Sequence, residues 1–350
     1  MIFRRKQQAL EGRDNSTNIQ AARDVTVITN DESAFRAIAT EVFNENMMRY
    51  ARDAADLAVG RATRLVDDYI AKQSATDPQG FEQAAQPDFQ AALFEAQKAF
   101  ARAGDEELET LLVDLLVERA GEPSRNLRQI VLNESIEVVS RLTQAHIELL
   151  TFIFITKYTS AIYRNLGDLV NRWKFVLEKT SAAFVADHVT CTYLDYVGVA
   201  SVHVLVGSSA WQPLLMSAAG FVSSGFSESV VQPLIDRDYR VRPLLRKSAR
   251  NPKFVEFDVN SLDHLKKRVT ELGISAEIGV QLEHIFNSHL LPENEQILFI
   301  SANFPEYEVV ANAWQKLQIG GTTLTPVGFA IAHSNVKKLG LPIGPLSVWV

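Results

Sequence analysis

Apolar residues return along most of this chain at the spacing of a helix. From Asp31 onward they recur every three or four positions: Phe35, Ile38 and Val42 open a stripe that Ala54, Leu57, Ala58, Leu65 and Tyr69 continue. That period lines up side chains on one helical face. Thr76-Asp77-Pro78-Gln79-Gly80 ends the segment, because proline and glycine punctuate helices. Pro87-Asp88 starts another helix, with Phe89, Leu93 and Phe100 inward and Gly104 as its stop. Asp105 is placed to cap a third, built on Leu108, Leu111, Leu112, Leu115 and Leu116 and closed by Gly121 and Pro123. Further helical patterns cover 125–140, 144–158 and 165–179. Residues 31–179 therefore read as a helical bundle with short connections.

The two ends follow a different pattern. Residues 1–30 form a basic tail (Arg4, Arg5, Lys6, Arg13) and then a β leader, in which polar turn formers precede Val25-Thr26-Val27-Ile28-Thr29. A lone hairpin is marginal in water, so this one must pack on the body or pair with another copy. On that ground oligomerisation is assigned to Asn18, Ile19, Gln20, Val25 and Val27. Residues 180–350 read as a mixed α+β domain. Tyr196 to Ser227 holds no charged residue, but Gly207-Ser208-Ser209 and Pro213 interrupt it. A membrane span needs roughly 20 continuous apolar residues, so a buried strand and a buried helix are expected instead. Glu306–Gln318 and Gly328–Leu339 read as helices around a glycine turn with short strands, Ile319–Thr325, before a terminal strand Leu346–Val350. This gives a winged-helix-like element over about 290–350. The expected class is mainly α (α+β): a short N-terminal β-hairpin, a helical bundle and a C-terminal mixed part.

Composition narrows the partners. The 350 residues carry a net charge of −7, which excludes a generally basic nucleic-acid coat. The basic N-terminus has no apolar stretch behind it, so no secretory signal is read there, and a reducing cytoplasm is the expected location. The single cysteine, Cys191, supports neither an internal disulfide nor a thiolate metal cage. Bases concentrate in one place. Arg237, Arg240, Arg242, Arg246, Lys247, Arg250 and Lys253 stand against only Asp236 and Asp238 over 236–253. Such a cluster can bind phosphates, an acidic partner or a neighbouring subunit, or simply neutralise nearby acidic helices. In the C-terminal element, Glu306 and Glu308 stand against Lys316 alone, which favours a protein partner over DNA.

Reaction motifs are scarce. No phosphate-cradling GxxxxGK[ST], HExxH or GxSxG occurs. His284 and His289 lie five apart beside Glu283, a spacing that misaligns ligands on a helix, so neither metal nor cofactor is expected. Asp187-His188-x2-Cys191 brings His188 and Cys191 onto one helical face, where the ordinary outcome is an inert buried thiol. Arg141-Leu142-Thr143-Gln144-Ala145-His146 resembles the R-x4-6-H pattern of HEPN ribonucleases, which implies that Arg141 and His146 act on an RNA 2′-hydroxyl and phosphate. Thr143 reads as an N-cap, however, so the two residues straddle a helix start.

Arg13-Asp14-Asn15-Ser16-Thr17-Asn18-Ile19-Gln20-Ala21-Ala22-Arg23-Asp24-Val25 resembles the GDNSxNIQAGGDV leader of assorted bacterial proteins, many tied to defence or signalling. Here Ala22 and Arg23 replace its two glycines. The rest of the chain resembles an uncharacterised bacterial family, over stretches such as Ile130-Val131-Leu132-Asn133-Glu134-Ser135 and Leu324-Thr325-Pro326-Val327-Gly328. Its layout is also similar to the Abi-alpha abortive-infection family, through Leu115-Leu116, Leu142-Thr143 to Leu150 and Leu324–Gly328. Neither resemblance supplies catalytic residues. Together they imply a non-enzymatic, oligomerising interaction protein of antiviral defence or stress signalling. A ribonuclease toxin using Arg141 and His146, and a winged-helix DNA-binding regulator using the 237–253 bases, are the alternatives.

Overall fold

The computed structural model describes residues 32–185, 187–203, 209–248 and 250–350. The β leader, with Asn18, Ile19, Gln20, Val25 and Val27, lies outside the described residues. Two compact units divide the chain, Met1–Asp56 and Leu57–Val350. In the first, the described residues are helical, and Ile38, Val42, Phe43, Met47 and Met48 are exposed.

The helices begin and end where caps and breakers stand. α1 is Glu32–Thr76, α2 Pro87–Ala103, α3 Glu106–Ala120, α4 Leu127–Val139, α5 Gln144–Tyr158 and α6 Leu166–Lys179. Asp105 accepts the Leu108 backbone N–H at 2.9 Å, and Gly104 closes α2 in the left-handed conformation, φ 64°. The short α7 (Ser181–Val185) and α8 (His188–Tyr196) lead into β1 (Ala200–Val202) and α9 (Trp211–Ala218). α10 (Glu228–Arg237), β2 (Leu245–Lys247), β3 (Val255–Phe257), α11 (Leu262–Glu271) and α12 (Ala276–Ser288) follow. The chain closes with α13 (Glu293–Asn303), α14 (Glu308–Lys316), β4 (Thr322–Leu324) and α15 (Pro326–Lys338). The protein is thus mainly α-helical, with two short antiparallel sheets among the described residues.

α5 is the pivot of the first core. Every residue from Ile147 to Ile155 is buried, and a helix apolar on all sides must be surrounded. α15, α7, α8, α9 and β4 all pack on it. α15 also lies against α3 and α4, so the C-terminal helix completes the bundle begun at α2.

That packing corrects the winged-helix expectation in two places. Ile319–Gly321 is a 3-10 turn, and the strand after it has no hairpin partner nearby in sequence. β4 pairs instead with β1, Ala200 opposite Leu324 and Val202 opposite Thr322. The terminal strand expected at Leu346–Val350 is a 3-10 turn at Leu346–Val348. β4 takes its partner from β1, and α15, buried over Ala330–Val336, packs into the bundle against α3, α4 and α5.

Candidate functional site

A second, smaller core stands beside the first. Phe226, Val231, Leu234, Val241, Leu244, Phe257, Leu265, Leu282 and Phe286 cluster among α10, α11, α12 and the β2–β3 pair. The chain crosses into it at Ala219–Val222, where the Gly220 N–H donates to the Asn260 carbonyl at 2.9 Å. It returns where the Leu291 N–H donates to the Val222 carbonyl at 3.0 Å. Asn260, almost wholly buried, donates from Nδ2 to the Ala161 carbonyl at 3.1 Å and fastens the second core to the loop after α5.

Along this seam runs a cleft of about 890 Å³. Ile155, Trp173, Val176 and Leu215 of the first core and Ala219 and Phe286 of the second supply its apolar walls. The size is in the range of small-molecule sites, about 300–1,000 Å³, which are mostly apolar with a few fixed polar groups. The cationic groups of the cleft are Lys157 and Arg172, with the Tyr163 hydroxyl beside Arg172 and uncharged polar residues such as Gln212 and Asn287 elsewhere, and Asp263 is the single acid among the described lining residues. Lys157 Nζ donates to the carbonyls of Gly320 (2.8 Å) and Thr322 (2.7 Å), and burial pushes its pKa down. Burial pushes the Tyr163 hydroxyl up, against the neighbouring Arg172.

A family model whose description reads ":-like" matches residues 31–350. The chain belongs to that family. No curated protein and no solved structure matches it. The matched segment carries the whole cleft and leaves the N-terminal leader outside.

The residues singled out by sequence lie elsewhere in this family member. Arg141 is exposed in the turn before α5, and its carbonyl accepts the Tyr193 hydroxyl at 3.1 Å. His146 sits in the first turn of α5, where Nδ1 accepts the Thr143 backbone N–H at 3.0 Å and the ring lies 5.0 Å from that of Tyr193. The imidazole thus fills the place of the glutamate in a capping box. Both residues fasten α8 to the start of α5.

Truncating His146 to alanine should cost about 1 kcal/mol in urea unfolding, the usual worth of a cap, with glutamine restoring most of it. Burial holds the folded pKa of His146 below the ordinary histidine value, partly offset by Asp187. The unfolded chain therefore takes up this proton more readily, and stability falls as pH drops through about 6.5 towards the lower folded value. His146→Gln should flatten that part of the pH profile. An unchanged profile would remove His146 from the cap.

The basic cluster is largely neutralised within the fold. Arg237 pairs with Glu277 at 2.9 Å, Arg240 with Asp238 at 2.8 Å, and Arg242 with Glu228. Arg246 in β2 meets Glu256, directly opposite in β3, at 2.9 Å and Asp258 at 3.2 Å. The Arg250 guanidinium lies 4.3 Å from the centre of the Phe299 ring, while Lys247 and Lys253 are exposed. Apart from Asp238, the acids are Glu228 of α10, Glu256 of β3, Asp258 just after it and Glu277 of α12, all outside the stretch 236–253.

Cys191 is buried, its thiol donates to the Leu317 carbonyl, and burial pushes its pKa up to about 11. Burial thus favours the thiol over the thiolate. His289 packs on Phe226, ring centres 5.0 Å apart. Among the described residues no group of three His, Cys, Asp or Glu is placed to hold a metal ion. No helix among them is long and apolar enough to cross a membrane. Sequence reasoning missed the cleft because its walls come from α5, α6, α9, α11 and α12. The charge-free run through α9 was its one visible trace.

Proposed function

We propose that this protein is a non-enzymatic binding protein whose working site is the cleft along the seam of its two cores. The observation that carries this reading is the cleft itself, about 890 Å³, apolar on both walls and equipped with Lys157, Tyr163 and Arg172. Support comes also from His146 and Cys191, which are committed to a helix cap and to a buried, protonated thiol.

The setting we propose is bacterial antiviral defence, on the resemblance of residues 13–25 to the defence-associated leader and of the helical layout to the Abi-alpha family. Binding would report a trigger to partners rather than convert it.

The test is a fluorescence titration with 1-aminoanthracene, a neutral apolar probe. Met216 lines the cleft from α9 and is exposed, so Met216→Arg places a charge in the cleft without disturbing either core. Wild type is expected to bind the probe and the variant to bind it about tenfold or more weakly at an unchanged melting temperature. Equal binding by both, or by neither, overturns the cleft as the site. The same two forms tested in a phage challenge check the setting: protection by wild type that Met216→Arg loses is expected. No protection by either against a broad panel overturns the defence role and leaves the titration to judge binding.

A further inference from the structure

The polar groups of the cleft are unevenly distributed in sign. Lys157 and Arg172 are cationic, and against them stands only Asp263, exposed in the first turn of α11. Lys157 already gives two of its three N–H donors to backbone carbonyls, so it contributes mainly positive potential. Arg172 is different. It is half-buried and has no carboxylate partner within salt-bridge distance among the described residues, and the Tyr163 hydroxyl lies beside it. A guanidinium offers five N–H donors in a fork that matches a carboxylate.

The Trp173 indole fixes the Tyr163 hydroxyl in the same wall. Its N–H is buried and faces the Tyr163 hydroxyl, the same oxygen that lies beside Arg172. The ring is held edge-on by Phe152 and by Tyr307, centroids 6.3 and 5.7 Å away, so it has little freedom to turn towards water. With its oxygen turned to the indole and the guanidinium, the Tyr163 hydroxyl keeps its own proton to donate to an acceptor in the cleft. Arg172 and Trp173 follow one another in α6, and both line the cleft. Met216, Leu262 and Leu290 offer apolar surface farther along the cleft, among uncharged polar neighbours such as Gln212 and Asn287, and the methionine can adapt to an irregular body.

We infer that the cleft takes a small amphipathic carboxylate, its head at Arg172 and Tyr163 and its apolar body along the seam. This rests on the binding reading above and gives it a ligand class. The guanidinium pairs with the carboxylate, the Tyr163 hydroxyl supplies a further donor, and burial of the tail provides the apolar share.

Calorimetric titration of the full chain with dodecanoate and with dodecanol, each below its aggregation limit, tests the inference. Wild type is expected to bind dodecanoate about tenfold or more tightly than dodecanol, the worth of a charge-assisted pair in a half-buried site. Arg172→Met should erase that preference, and Arg172→Lys should restore part of it. Melting temperatures close to wild type for both variants show that each is folded. Equal affinity for the two ligands in wild type, or an undiminished preference in Arg172→Met, overturns the carboxylate assignment while leaving a cleft that binds apolar molecules. No binding of dodecanoate, dodecanol or 1-aminoanthracene overturns the inference together with the reading beneath it.

Discussion

Replacing Asp88 with alanine is expected to cost about 3–5 kcal/mol of stability, because it leaves a buried guanidinium without its counter-charge. Arg119, near the end of α3, is fully buried. Its Nη2 donates to Asp88 Oδ2 at 2.5 Å, its Nε to Asn133 Oδ1 at 2.7 Å and its Nη1 to the Glu122 carbonyl at 3.1 Å. Asn133 Nδ2 donates to the same Asp88 oxygen at 2.9 Å. One carboxylate therefore joins α2, α3 and α4. The loss is asymmetric. Asp88 itself is more than half exposed, so Arg119→Met frees a carboxylate that water already solvates, whereas Asp88→Ala leaves a buried guanidinium with only Asn133, the Glu122 carbonyl and whatever water enters the vacated place. The alanine variant should be the less stable of the two in urea unfolding. The reverse order would show that packing of the Arg119 stem, not its charge, dominates.

Acid sensitivity follows from the same group. The Asn133 amide and then the Arg119 guanidinium hold the Asp88 carboxyl below its usual range. A depressed carboxylate contributes stability that is present above the unfolded value, about 3.9, and is lost as pH falls through the lower folded one. Wild type should lose this increment on acidification, and Asp88→Asn should not show it.

Local chemistry decided most of what the sequence makes legible. Pro87, Gly104, Asp105 and Thr143 act on their own neighbours, so the bounds of α2, α3 and α5 can be read from them. Apolar period locates helical faces equally well, and it identifies Leu111, Leu112, Leu115 and Leu116 as core. What escapes is whatever depends on partners far along the chain. β4 pairs with a strand some 120 residues earlier, and the Gly-Gly turn before it reads as a hairpin when only neighbours are considered. The 237–253 bases look like an open cationic patch until the chain returns with Glu256, Asp258 and Glu277. The cleft is the extreme case: Trp173, Leu215, Asp263 and Phe286 meet only because two cores share a seam.

The backbones approach closely along the seam where Gly220 meets Val259 and Asn260, and Gly220→Ala should loosen it there. A Cβ at position 220 would lie 1.8 Å from the Val259 carbonyl oxygen, 2.7 Å from its carbon and 2.9 Å from Asn260 Cα. All three are backbone atoms, so no side chain can rotate away, and the Gly220–Asn260 hydrogen bond holds the strands of chain together at that point. Overpacking in a core ordinarily costs about 1–3 kcal/mol, and here the rigid obstacle puts the expectation at about 3. The strain can be relieved only by moving the segment around Val259 and Asn260 away from the crossing. Asn260 would then lose the Ala161 carbonyl, and the wall carrying Leu262, Asp263 and Phe286 would shift relative to Trp173. Hydrogen exchange should rise across α10–α12 and stay low in α3–α5, and 1-aminoanthracene binding should fall about tenfold or more. Gly60→Ala is the control: it lies mid-helix in α1 with nothing within 4 Å of the added carbon, and should leave stability unchanged or raise it by up to about 1 kcal/mol. If Gly220→Ala melts and binds like wild type, the two cores tolerate a looser seam, and a cleft that depends on their fixed spacing is the wrong place to look for the ligand.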